Sequence, residues 1–218
     1  VLAEVRSNPN ALAYESLGYV TTDVKMLKVD GVEATVANIK NGTYKISRPL
    51  QVVYQPAKGE EALNAAYLQF LASKQAQDII SEEGYVSMID NASSYVPDPA
   101  LEGTINISGS TSLQPLMLKL AEKYKELQSK VTVTVSGGGS GTGYKDAKEG
   151  VSDFGMISEE FNDEKAPGCS HYTVAKDGIA VIVHKDNGVS NISLETLKNI
   201  YDCEAGESAV KTWAEVEK

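Results

Sequence analysis

Strand patterns and helix patterns alternate along the second half of the chain. Alternating residues at 104–108 predict a strand, and the apolar stripe that follows, spaced by three and four residues, predicts a helix to about Ser129. The further predicted elements are strands at 131–135, 153–157 and 178–183, a short helix around 144–148 and a helix capped by Ser193. This order predicts an α/β layered fold with a largely parallel sheet.

The first half contains one clear strand–helix pair and then changes character. The apolar segment 50–54 predicts a strand, and the periodicity of 60–83 predicts one long helix that Gly84 ends. Residues 91–103 carry two prolines and small polar residues without periodicity. We therefore interpret 91–103 as a linker.

Composition narrows the class of protein. The chain has 218 residues, is 42% hydrophobic and carries a net charge of −10. Such a chain can bury a sizeable core, and its acidity disfavours general binding to nucleic acid or to anionic membrane surfaces. No stretch approaches the roughly 18 apolar residues of a membrane span. The N-terminus shows no signal-peptide pattern, which is also expected of a mature protein or a shortened chain.

Cysteine and histidine are too scarce for common metal and catalytic sites. Cys169 and Cys203 are the only cysteines and lie far apart, and His171 and His184 are the only histidines. A structural zinc site and a histidine-based triad are therefore not expected. The cysteines form either one disulfide or two thiols, and one pair in a chain of this length favours thiols slightly.

Three predicted strand ends carry small polar residues. After 104–108, Ser110, Thr111 and Ser112 precede a helix, where free N–H groups favour an anion. Taken alone, these hydroxyls are better explained by plain helix capping, because every helix needs a cap. After 131–135, the sequence SGGGSGTG (136–143) is expected to form a glycine-rich loop that lets the backbone approach a ligand. It lacks a Walker lysine and fits the dinucleotide fingerprint poorly.

Ser158 and two glutamates follow the third strand. Alone, this segment reads as a solvated acidic loop. Ligands bind at the carboxyl ends of strands in open α/β sheets, so three such ends together predict a site for a small oxyanion made of neutral donors.

Longer motifs in these segments resemble a known family. ISGSTSLQPLMLKLAEKY (107–124), VTVSGGGSGTG (133–143) and EGVSDFGMIS (149–158) closely resemble the substrate-binding protein of the phosphate ABC transporter. The first part of the chain resembles the later half of the same family, in SNPNALAYESLGYV (7–20) and SRPLQVVY (47–54). The halves therefore stand in circularly permuted order.

The resemblance implies a two-lobed type II periplasmic-binding fold, each lobe a mostly parallel sheet flanked by helices. It assigns 1–45 and 178–218 to an incomplete lobe 2, 46–90 and 104–177 to lobe 1, and 91–103 to the linker that joins the permuted halves. The residues it implies for phosphate binding are Thr111, Ser112, Ser140, Gly141, Thr142 and Ser158. It implies no catalytic residue, metal or other cofactor.

Three departures from the family pattern bear on function. The order of the halves is reversed, and a central segment with Gly-Ser-Gly-Thr and an arginine is missing. Glu159 stands where many members have arginine, and Arg6 and Arg48 are the only arginines in the chain. A bidentate arginine clamp on phosphate therefore has few candidates. The same order would also result if the chain were cut from two tandem receptor domains, so that it holds the tail of one, a linker and the head of the next.

The leading interpretation is an extracytoplasmic, non-enzymatic phosphate receptor that feeds an ABC importer, lipid-anchored in its full-length form. The alternative is an adhesion, sensing or scaffold protein of the same fold that has lost tight phosphate binding. An enzyme on this fold is a third class, disfavoured because no nucleophile–base–orienter set is present. The expected partners are phosphate or a similar oxyanion and a transporter permease, and a domain-swapped homodimer is also compatible with the linker.

Overall fold

The structure, a computed structural model, describes residues 1–216, and Glu217 and Lys218 lie outside the described part. The described chain forms two compact units, one of residues 1–47 and 178–216 (unit 1) and one of residues 48–177 (unit 2). The helices are α1 (Leu2–Ser7), α2 (Val36–Lys40), α3 (Pro56–Glu60), α4 (Ala62–Leu71), α5 (Lys74–Glu82), α6 (Gln114–Leu127), α7 (Ser140–Glu149), α8 (Leu194–Tyr201) and α9 (Trp213–Val216). The strands are β1 (Leu12–Ser16), β2 (Val24–Met26), β3 (Lys28–Val29), β4 (Ser47–Tyr54), β5 (Gly103–Gly109), β6 (Val131–Gly137), β7 (Phe154–Ile157), β8 (Ser170–His184) and β9 (Asn191–Ile192). The interpretation of the two units as receptor lobes joined in permuted order stays a prediction.

The strands of unit 2 follow the order β8-β4-β7-β5-β6, to which β8 contributes its residues 170–177. Strand β5 pairs in parallel with both β6 and β7, while β4 runs antiparallel to β7. Because β5, β6 and β7 share one direction, their carboxyl ends meet at the same edge of the sheet. The three polar segments singled out in the sequence follow these three strands.

An aromatic core joins the first and second halves of the chain within unit 2. Tyr67 and Phe70 of α4 lie with their ring centroids 5.0 and 4.9 Å from that of Tyr124 on α6. All three side chains are fully buried. Aromatic pairs at such distances contribute about 0.5–1.5 kcal/mol each beyond their buried area. The apolar stripe of α4 is thus covered by α6, which a single strand–helix pair could not provide.

The predicted single helix at 60–83 is wrong. The structure has α4 and α5 separated at Ala72 and Ser73, with α3 ending at Glu60. Ser73 starts α5 as its N-cap: its hydroxyl donates to the carbonyl of Phe70 at 2.6 Å and accepts from the amide of Ala76 at 3.5 Å. A serine that caps in this way ends one helix and begins the next. Gly84, with φ of +83°, follows α5 as predicted.

The segment interpreted as a linker is irregular but anchored. Tyr95 is buried, and its hydroxyl lies 3.2 Å from that of Tyr124. Its amide donates to Oε1 of Gln75 at 2.9 Å. Residues 91–103 therefore hold a fixed course over the core of unit 2.

Unit 1 is largely antiparallel, so the expectation of a mostly parallel sheet is wrong there. Strands β1 and β2 both pair antiparallel with the second half of β8, and only the short β3–β9 pair is parallel. Tyr44 is buried in this unit, and its hydroxyl donates to the carbonyl of Ile179 at 2.8 Å. Ser193 caps α8 by accepting from the amide of Thr196 at 2.9 Å, as predicted.

Candidate functional site

Three glycines bring the ends of β5 and β7 against helix α7. A Cβ at Gly109 or Gly143 would lie 2.3 or 2.1 Å from the carbonyl oxygen of Met156. A Cβ at Gly155 would lie 1.9 Å from the carbonyl oxygen of Gly143. Any larger residue would collide with backbone, so the glycines permit a direct approach of main chain to main chain.

Backbone hydrogen bonds then fix the segments that follow these strands. The amide of Ser110, just after β5, donates to the carbonyl of Met156 in β7 at 2.9 Å. The amide of Gly139, after β6, donates to the carbonyl of Gly109 at 2.9 Å. The three strand ends are therefore tied to one another before any side chain is considered.

The residues predicted to bind phosphate lie on these tied segments, and we call them the strand-end cluster. Its members are Thr111, Ser112, Ser140, Gly141, Thr142 and Ser158.

Thr111 and Ser112 occupy the turn between β5 and α6. Their neighbour Ser110 closes this turn, since its hydroxyl accepts from the amide of Leu113, the residue before α6, at 3.3 Å. Thr111 is exposed, and its methyl group would lie 3.2 Å from a Cβ at Gly137, the last residue of β6. No side chain caps the start of α6 at Leu113, so neither member of the strand-end cluster acts as its cap.

Ser140, Gly141 and Thr142 form the first turn of α7, which corrects the prediction of a loop over 136–143. Strand β6 continues to Gly137, so that Gly138 and Gly139 are the two residues between the strand and the helix. The first amides of a helix have no acceptor within the helix and point out of its N-terminus, where the helix dipole favours negative charge. The hydroxyl of Thr142 donates to the carbonyl of Gly138 at 2.8 Å.

Ser158 follows β7 directly and meets Ser140. Its amide donates to the hydroxyl oxygen of Ser140 at 3.1 Å, and the two hydroxyl oxygens are 3.4 Å apart. Both residues are half-buried. The structure thus brings Ser140 and Ser158 together, whereas no side-chain hydrogen bond within residues 1–216 links Thr111 or Ser112 to them.

A buried polar group beneath the strand-end cluster was not singled out from the sequence. The hydroxyl of Ser108 in β5 donates to Oδ2 of Asp146 on α7 at 2.6 Å and lies 2.8 Å from the hydroxyl of Ser152. This contact fixes α7 against β5. In the sequence, this contact is indicated only by Ser108, a serine at an inward-facing strand position. Periodicity alone does not separate such a serine from an ordinary polar residue.

Both arginines are held in ion pairs within their own units. Arg6 lies 2.8 Å from Asp23, and Nη2 of Arg48 lies 3.0 Å from Oδ2 of the buried Asp177. Beside Ser158, the carboxylate of Glu159 pairs with Lys165 at 2.5 Å. The strand-end cluster therefore offers hydroxyls and amides, and the carboxylate of Glu159, which follows Ser158 in the chain, is paired with Lys165.

The described residues hold no group of three or more His, Cys, Asp or Glu side chains that could bind a metal ion. Cys169 and Cys203 are free thiols, as the sequence favoured. Burial, and then the charge of Asp163, raise the pKa of the Cys169 thiol. In residues 1–216 no helix has the length and apolar character of a membrane span.

Comparison with known proteins identifies the family. Residues 96–217 match the PBP superfamily domain. The phosphate-binding proteins PstS 2 of Streptococcus agalactiae and Streptococcus pneumoniae are 38% and 35% identical to the chain over 202 and 201 residues, which is 92% of this chain and 68% of each relative. A crystal structure of a phosphate ABC transporter phosphate-binding protein from Streptococcus pneumoniae superposes with a TM-score of 0.90 at 33% identity, covering 99% of this chain and 80% of that one. This match confirms the predicted type II periplasmic-binding fold, and the chain belongs to the PstS family of phosphate-binding proteins.

Proposed function

We propose that this chain binds inorganic phosphate at the strand-end cluster and acts as the solute receptor of a phosphate ABC importer. The observation that carries the proposal is the structural match to a phosphate ABC transporter binding protein, which includes 99% of this chain. It is a binding protein rather than an enzyme. Its place is outside the cytoplasm, where it would deliver phosphate to a permease, and a lipid anchor on the full-length protein would hold it at the membrane.

The geometry of unit 2 supports phosphate as the ligand. The amides at the start of α7 and the hydroxyls of Ser140 and Ser158 are neutral donors that converge at one edge of the sheet. A tetraoxyanion accepts from several donors at once, and each should lie about 2.7–3.2 Å from an oxygen. Thr111 and Ser112 would close the site from the end of β5.

One observation favours the alternative function, a receptor-fold sensing, adhesion or scaffold protein that has lost tight phosphate binding. Arg6 and Arg48 are both engaged in ion pairs, and they are the only arginines of the chain. A site without an arginine clamp lacks the strongest contact that proteins make with phosphate. We therefore expect phosphate to bind more weakly than to a receptor that has such a clamp.

Isothermal titration calorimetry with phosphate, and with sulfate for comparison, tests the proposal. Thr111→Ala should weaken binding about tenfold or more, since a hydrogen bond to a charged group contributes about 1.5–3 kcal/mol. Thr132→Ala is the matched control, an exposed threonine at the start of β6, roughly 15 Å from the strand end by strand geometry. Heat of binding that is absent for phosphate, or equal losses in the two variants, would contradict the proposed site.

The predicted domain-swapped homodimer is a separate proposal. The aromatic packing of α4 on α6 forms within a single chain in the structure, so exchange between chains is not needed to cover α4. Sedimentation of the protein at increasing concentration distinguishes a monomer from a swapped dimer.

A further inference from the structure

Tyr144 lies one helical turn after Ser140 on α7. Side chains four residues apart in a helix share a face, so Tyr144 and Ser140 point to the same side of α7. Tyr144 is 3% exposed, and its ring packs with Val53, Ala147 and Ile157. This small cluster lies on the face of β4 and β7 that is turned away from the aromatic core. Its hydroxyl, however, is used in polar contacts beyond this small core.

The Tyr144 hydroxyl binds the segment that follows Ser158 at two points. It accepts from the amide of Asn162 at 3.0 Å and donates to the carbonyl of Glu160 at 3.3 Å. Burial raises the pKa of the Tyr144 phenol, so the hydroxyl keeps the proton it donates. Together with the bond from the amide of Ser158 to Ser140, helix α7 holds residues 158–162 at both ends.

The same segment also packs on the Tyr144 ring. The ammonium of Lys165 lies 5.1 Å from the ring centroid and pairs with Glu159. The ring of Phe161 lies 6.1 Å from that of Tyr144 and stacks on His171 at 4.6 Å. Residues 159–165 therefore wrap around Tyr144, and the carboxylate next to Ser158 is drawn toward Lys165.

We propose that Tyr144 is a positioning residue for phosphate binding, which holds residues 158–162 and through them the hydroxyl of Ser158. This inference rests on the proposed function. Without the two bonds of the Tyr144 hydroxyl, the backbone after Ser158 loses its hydrogen bonds to Tyr144. The bond from Ser158 to Ser140 and the packing of Phe161 and Lys165 on the ring remain. Ser158 then samples positions in which its hydroxyl misses a bound tetraoxyanion, and part of the binding free energy goes into ordering the segment.

The test is Tyr144→Phe, which keeps the ring and its contacts and removes only the hydroxyl. The matched control is Tyr67→Phe, because Tyr67 is also buried in unit 2 and its hydroxyl has no hydrogen-bond partner among the described residues. We expect Tyr144→Phe to lower phosphate affinity about three- to tenfold, the effect of one net hydrogen bond, and Tyr67→Phe to leave it unchanged. Thermal melts of both variants report whether the fold itself is affected.

Amide hydrogen exchange without phosphate supplies a readout that general destabilisation would not reproduce. In Tyr144→Phe the amide of Asn162 should exchange faster than in the wild type, while amides in the centre of β5 keep their wild-type rates. A uniform acceleration across unit 2, or an unchanged Asn162 amide, would overturn the positioning role. So would equal phosphate affinities of Tyr144→Phe and a wild type that binds phosphate.

Failure of the proposed function has its own signature. If calorimetry of the wild type shows no heat of binding with phosphate, the proposed function and the role of Tyr144 in ligand binding are both refuted. The exchange rate of the Asn162 amide still shows in that case whether Tyr144 holds the segment, because that measurement needs no ligand.

Discussion

Alanine at position 143 should reverse the usual effect of replacing a glycine in a helix. Gly143 lies within α7, where alanine normally stabilises by up to about 1 kcal/mol. Here its Cβ would lie 2.1 Å from the carbonyl oxygen of Met156, whereas ordinary contacts begin at 3.4 Å. The neighbour is backbone in a buried strand and cannot rotate away. Helix α7 must therefore move by roughly 1 Å, and such overpacking costs about 1–3 kcal/mol.

Gly141→Ala provides the matched control for stability, because a Cβ at this position of the same helix meets nothing within 4 Å. Urea unfolding followed by far-UV circular dichroism should show Gly143→Ala destabilised by about 1–3 kcal/mol, and Gly141→Ala unchanged or up to about 1 kcal/mol more stable. In thermal melts the Gly143→Ala loss corresponds to a fall in Tm of about 2–12 °C.

The same substitution should also disturb the strand-end cluster. A shift of α7 by roughly 1 Å would break the bond from the amide of Ser158 to Ser140, which is 3.1 Å long. Equal stability of the two alanine variants would refute the reasoning, because it would mean that α7 does not approach Met156 as closely as the structure shows.

Three further predictions concern the rest of the molecule. In urea titrations, Arg48→Met should lower the free energy of unfolding by about 1.5–3 kcal/mol, since it removes a charged partner of the buried Asp177 carboxylate. The control Lys74→Ala removes an exposed pair with Asp78 and should lower it by no more than about 0.5 kcal/mol. Burial raises the pKa of Tyr44 to about 12, so the stability that its neutral phenol provides is complete below pH 10 and is lost as the pH rises through 12. Absorbance titration at high pH should show a late component from the buried tyrosines that is smaller by one phenol in Tyr44→Phe. Ellman's reagent should find two thiols in the folded protein, a fast one that Cys203→Ser removes and a slow one at the half-buried Cys169.

The strand ends of unit 2 could be read from the sequence because their signals are local. A window of a few residues is enough to predict strand β5, the apolar stripe of α6 and the polar residues after β7. The closeness of Ser140 and Ser158 followed from one rule, that parallel strands end at the same edge.

What the sequence could not show depends on contacts distant in the chain. The direction in which β8 pairs is set by its partners β1 and β2, and its own apolar run is the same for parallel and antiparallel neighbours. The start of α7 at Ser140 runs against the low helix propensity of glycine, and the fit of Gly143 and Gly155 against the backbone explains it. The sequence did not single out Tyr144, because an aromatic residue in a helix is ordinarily interpreted as a core residue. The structure shows that its hydroxyl contacts Glu160 and Asn162.

Charge sets a condition on how such a chain could hold an anion. With a net charge of −10, the long-range field of the protein repels phosphate, and the arginines are already paired. Affinity at the strand-end cluster should therefore depend on short-range donors whose positions are fixed before the ligand arrives, since hydroxyls and amides that had to be ordered on binding would lose much of their advantage. The glycine contacts of Gly109, Gly143 and Gly155 and the bonds of the Tyr144 hydroxyl fix these positions. On this view rigidity of the strand ends, rather than charge, is what the proposed phosphate site requires.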